Sequence, residues 1–157
     1  MKFKYLFLSL ILLVLACSIA TIAAEEAIID DYSFTIPDGY SIVNQSEQMV
    51  SMQIDNDHAI VMSAPDDVQS PKQFKTGLEK QGYKFGDEEN YTKGNFDIEQ
   101  YNYDYDKYQG FLYICDDNTD KDDDVILITL VIPKTDDVPS EDENPVTGIL
   151  DSLKEVD

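Results

Sequence analysis

Arginine and tryptophan are absent from this chain, histidine occurs once and cysteine twice. Without arginine there is no planar guanidinium fork to clamp a phosphate or carboxylate. The 11 lysines face 32 acidic residues, a net charge of −21 at pH 7. A surface this negative repels nucleic acid and anionic lipid headgroups and favours cations and basic partners, so nucleic-acid binding is excluded. There is no glycine-rich phosphate loop, no Ser/His/Asp set and no cluster of His and Cys ligands, and the reading is non-enzymatic. Of the two cysteines, Cys17 lies in the apolar leader and Cys115 stands alone in the remainder, so that remainder has no internal disulfide and must be held by its apolar core. Cys115 ends the run Phe111-Leu112-Tyr113-Ile114-Cys115 and reads as a small buried side chain in a strand.

What is present begins with Met1-Lys2-Phe3-Lys4, an apolar run from Tyr5 to Ala16, small residues up to Ala24, and then Glu25-Glu26. A positive end, an apolar stretch and a small-residue exit form the secretory signal pattern, with cleavage expected near Ala23 or Ala24. Two other readings stay open. Tyr5 to Ala24 is just long enough for a retained membrane helix, and Val14-Leu15-Ala16-Cys17 resembles a lipobox that would lipidate Cys17. The expected organisation is a signal segment over residues 1–24 and one acidic domain over residues 25–157, secreted or attached to the cell envelope. Contact with membrane would come only through a retained or lipidated N-terminus.

Strand signals follow at Tyr32–Pro37, Tyr40–Val43, Gln48–Ile54 and His58–Ser63, separated by Asp-Gly and Asp-Asn-Asp turns. Ser70-Pro71 opens a helix, serine accepting from the free amides and proline fitting the first turn, with Phe74 and Leu78 on one face and Gly82 as the stop. Further strands are expected at Tyr83–Phe85, Glu89–Lys93, Asn95–Asp106, Gln109–Asp116 and Val125–Ile132. The last is apolar on both faces, which predicts a central strand covered on both sides. Asn144-Pro145 repeats the cap signature ahead of the stripe Val146, Ile149, Leu150, Leu153. Strands grouped between two helices predict an α+β domain with a largely antiparallel sheet covered by the two helices.

The segment Phe34-Thr35-Ile36-Pro37-Asp38-Gly39-Tyr40 resembles the opening of the Mog1/PsbP-like fold, and the element order over residues 30–156 is similar to it. That resemblance implies an α/β/α sandwich, and binding or assembly rather than catalysis. It brings no catalytic motif to carry over.

Two stretches carry the candidate sites. In the acidic run after Cys115, Asp116, Asn118, Asp120 and Asp122 recur at every second residue, the spacing with which calcium loops wrap oxygen ligands around an ion. Lys121 stands where such loops need glycine and Leu127 where they need the bidentate glutamate, so an acidic solvated turn competes with weak, millimolar Ca²⁺ binding. No other cofactor is indicated. Tyr101, Tyr103 and Tyr105 line one face of a strand, with a bulge expected after Ile98 where the apolar positions change from even to odd. Tyrosine rows pack cores and also build binding surfaces. The leading reading is a non-enzymatic extracytoplasmic binding or assembly module acting on a protein or ligand partner through that surface or a sheet edge, which predicts an exposed aromatic patch from Tyr101 to Tyr108. A Ca²⁺-binding or structural surface protein is the alternative. His58, with Asp55 and Asp57 nearby, reads as a tolerated polar residue at a strand entrance.

Overall fold

The apolar run Val125–Ile132 becomes β9 (Val125–Pro133), and its neighbours explain why it is apolar on both faces. The computed structural model describes residues 26–65, 70–119 and 125–156. Strand β9 occupies the centre of a seven-stranded sheet of order β3-β4-β5-β9-β8-β7-β6. The other members are β3 (Ser41–Ser46), β4 (Met49–Gln53), β5 (Ala59–Ser63), β6 (Lys84–Lys93), β7 (Phe96–Tyr105) and β8 (Tyr108–Asp117). All six pairings are antiparallel.

The even residues of β9, Ile126, Ile128, Leu130 and Ile132, enter the larger core, which α2 (Pro145–Ser152) covers with Val146, Ile149 and Leu150. The odd residues Val125 and Leu127 face α1 (Pro71–Glu79) and its Leu78. Among the described residues the protein is therefore α+β, with a mostly antiparallel sheet and two α-helices, as its sequence pattern predicts. Both helices begin as expected. Ser70 Oγ accepts from Gln73 N–H at 3.2 Å, and Asn144 Oδ1 accepts from Val146 N–H at 3.0 Å. A cap of this kind is worth about 1 kcal/mol. Gly82, at φ +105°, turns the chain out of α1 in the left-handed region.

Three features differ from the expectation. A second, three-stranded sheet packs over the larger core, made of β1 (Glu26–Ile29), β2 (Tyr32–Thr35) and β10 (Lys154–Glu155) in the order β1-β2-β10. Its inward residues Ala27, Ile29, Tyr32 and Phe34 share that core with α2. β1 and β10 are too short to announce themselves in sequence. Tyr83–Phe85 and Glu89–Lys93 fall into one run of chain, with β6 beginning at Lys84 and shifting register between Phe85 and Glu88. The bulge expected after Ile98 is not in β7, which runs in unbroken register along β8 from Phe96↔Asp117 to Tyr105↔Tyr108. Its apolar positions change parity because Phe96 and Ile98 point into the larger core while Tyr101 and Tyr103 point under α1.

The N-terminal segment 1–24, with the lipobox-like Cys17, lies outside the described residues. Among the described residues, no helix is long and apolar enough to cross a membrane.

Candidate functional site

The tyrosines singled out in β7 do not form a surface. Tyr101 and Tyr103 are each 4% exposed, and Tyr105 is half-buried. Tyr105 stacks on Tyr83 with ring centroids 4.1 Å apart, and Lys75 of α1 places its ammonium 4.4 Å from the centre of the Tyr101 ring. The Tyr103 hydroxyl donates to the Leu130 carbonyl at 2.9 Å. These rings hold α1 on the sheet, because the odd face of β7 is the face the helix covers. The expected exposed patch over residues 101–108 is thus absent, and Tyr108 at its end is buried too.

Of the calcium-like set, Asp116 and Asn118 are described, while Asp120 and Asp122 lie outside the described residues. Asp116 is a strand residue, paired with Asp97 on one side and Val125 on the other. The Asn118 backbone N–H donates to the Asn95 carbonyl at 2.9 Å, and its side-chain amide reaches Asp97 Oδ1 at 3.4 Å. The acid next door serves the fold. Asp117 is buried, accepting from the Tyr32 hydroxyl at 2.9 Å and from Thr119 N–H at 2.8 Å. Among the described residues, no three His, Cys, Asp or Glu side chains cluster closely enough to hold a metal.

His58 is better partnered than its sequence neighbours imply. Nδ1 meets Asp55 Oδ1 at 2.9 Å and Nε2 meets Asp136 Oδ2 at 2.9 Å, so the ring bridges the β4–β5 turn and the segment after β9. Burial alone would lower its pKa, but the hydrogen bonds and charges of Asp55 and Asp136 together outweigh that and raise it. Asp57, expected nearby, is not one of its two ring partners. An imidazole with both nitrogens facing carboxylates ties the two segments together.

One concave feature among the described residues lies between edge strand β6 and α2. It is a cleft of about 330 Å³ lined by Glu89, Tyr91 and Lys93 of β6, Phe111 and Tyr113 of β8, and Glu141, Asn144 and Leu150 near α2, among others. Strand alternation builds its floor. Glu89, Gln100 and Tyr113 are cross-strand partners in one row, with Tyr91 two residues along β6 on the same face. The Tyr91 hydroxyl donates to Gln100 Oε1 at 2.9 Å, which fixes the ring. Phe111 and Tyr113 continue the aromatic floor, with centroids 6.1 Å apart.

At the helix end, Asn144 caps α2 through Oδ1 while its Nδ2 donates to the Tyr113 hydroxyl at 2.6 Å, so one side chain sets both helix and floor. The Tyr91 phenol is pushed up to about 12 by burial first, then by neighbouring Cys115, Glu89 and Glu141, and stays neutral. The cleft's one ammonium, Lys93, is ion-paired with Asp151 of α2. Glu89, Glu141 and the rings of Tyr91 and Phe111 remain to meet a ligand, over the buried Tyr113.

Tyr91, Glu89, Tyr113 and Glu141 were not apparent as a site from sequence. The sole local signal is that Glu89, Tyr91 and Lys93 share one face of a predicted strand. No protein-family model matches this chain, and no curated protein matches it in sequence.

Proposed function

We propose that this chain is a non-enzymatic binding or assembly module that works outside the cytoplasm and takes its partner in the β6–α2 cleft. The carrying observation is the cleft itself. Tyr91 is 36% exposed, one of five large apolar residues exposed among the described residues, yet its ring is held in place by Gln100 over a buried aromatic floor. Immobilised aromatic area beside polar groups is how binding sites gain contact at low entropic cost. Export rests on the leader pattern of residues 1–24, and the resemblance of Phe34–Tyr40 to the Mog1/PsbP-like opening adds weight to assembly over catalysis.

Site-specific photo-crosslinking tests it. A benzophenone side chain at position 91, exposed to envelope from the native host, is expected to give adducts that the same group at Lys84 does not. Identical patterns at the two positions would refute the cleft as the binding site. A rise in melting temperature with millimolar Ca²⁺ that Asp116→Asn and Asp122→Asn remove would favour the acidic turn instead.

A further inference from the structure

Resting on that reading, we propose that the cleft accepts the alkylammonium or guanidinium group of a lysine or arginine carried on an extended segment of a basic protein partner. Charge and shape point the same way. Glu89 and Glu141 flank Tyr91 closely enough to act on its ionisation, and the Lys93 charge is taken up by Asp151. A cation entering here finds two carboxylates and the faces of Tyr91 and Phe111, the combination that binds organic cations through ring quadrupoles and charge together. An anionic ligand would find no arginine anywhere in the chain and a net charge of −21. The volume of about 330 Å³ suits one side chain and not a large cofactor.

The partner's form follows from position. The cleft opens beside β6, an outer strand of the seven-stranded sheet. An outer strand offers backbone N–H and C=O groups that a second extended chain can pair with, while alternate side chains of that chain reach one face of the sheet. An incoming strand on β6 would therefore present every second side chain on the face where Glu89 and Tyr91 stand.

The test is calorimetric titration of the full chain with a short capped peptide alternating lysine and threonine, with its glutamate/threonine counterpart, and with spermidine. The lysine peptide is expected to bind, and Glu89→Gln with Glu141→Gln to weaken it about tenfold, the effect of losing roughly one favourable charge contact at each carboxylate. A control pair of equal charge change away from the cleft, Glu79→Gln in α1 with Glu47→Gln in the β3–β4 turn at the opposite edge of the sheet, should leave affinity within about twofold, as screened surface charges do. Tyr91→Leu, which keeps apolar bulk and removes the ring face, should also weaken binding. Equal losses in the control pair would reduce the effect to bulk charge attraction and overturn the proposal. Cleft-dependent binding of spermidine without binding of the peptide would overturn the protein-borne source. If the peptide fails while crosslinks at position 91 persist, the cation falls and the binding cleft stands; if both fail, the cleft falls with it.

Discussion

The hydrogen bond between Asn144 and Tyr113 joins the candidate cleft to the stability of the fold, and a double-mutant cycle measures it. Asn144 is 8% exposed and Tyr113 2%, so neither polar group has ready access to water once its partner is gone. Asn144→Ala removes the α2 cap, about 1 kcal/mol, and also strips the buried Tyr113 hydroxyl of its donor, a further ~2 kcal/mol. Tyr113→Phe leaves the cap intact and the Asn144 amide unpartnered, about 1.5 kcal/mol. The double variant loses the cap and the hydrogen bond but leaves neither side-chain polar group stranded, so it should cost about 2.5 kcal/mol, well short of the summed single effects. The coupling is then roughly 2 kcal/mol. Urea unfolding followed by circular dichroism reads it directly: with a slope near ~2 kcal/mol per molar, Asn144→Ala should lower the midpoint by about 1.5 M. Additivity within about 0.4 kcal/mol would show that the two side chains act independently and that the floor of the cleft is not tied to the helix.

Gly110 stands where β8 meets β9 with φ +154°, and a Cβ there would lie 1.9 Å from the Leu130 carbonyl oxygen. Gly110→Ala should therefore cost ~4 kcal/mol from strain and strand separation, and a urea midpoint within about 0.5 M of wild type would contradict this. The His58 bridge predicts a pH-dependent contribution. Its folded pKa is raised above 6.5, so the stabilisation is complete below that value and lost as pH climbs through the higher folded value. Asp55 is held below 3.8, first by its hydrogen bond from His58, so its share is present above that value and lost as pH falls through the lower folded one. Wild type should thus exceed His58→Gln by about 1 kcal/mol near pH 5.5 and by markedly less at pH 9, and a constant difference over that range would disprove the bridge.

Much of the architecture was legible because it depends on local rules. Ser70-Pro71 and Asn144-Pro145 mark helix starts through groups only a few residues apart, and β9 declares its double cover through its own composition. The exceptions depend on partners far along the chain. β1 and β10 are two- to four-residue strands that exist because β2 stands between them, with Ala27↔Phe34 on one side and Lys154↔Ser33 on the other. Strand length and alternation carry no record of such a partner. His58 likewise shows Asp55 within three positions, while Asp136 stands 78 residues away.

The tyrosine row shows why the site was the harder inference. A period of two says which side chains share a face of a strand, and it says nothing about what lies against that face. In β7 the residues at the two ends of one strand serve opposite cores: Phe96 and Ile98 meet the layer formed by α2 and the small sheet, and Tyr101 and Tyr103 meet α1. A tyrosine between a helix and a sheet and a tyrosine at a cleft look identical in sequence. What separates Tyr103 from Tyr91 is the reach of the covering layer, since β6 is the last strand of the sheet and the face bearing Tyr91 is only partly covered by α2. A sheet wider than the layer packed on it leaves a step at its edge. The candidate cleft is that step, which is why its lining comes from β6, β8 and the approach to α2 rather than from any one motif.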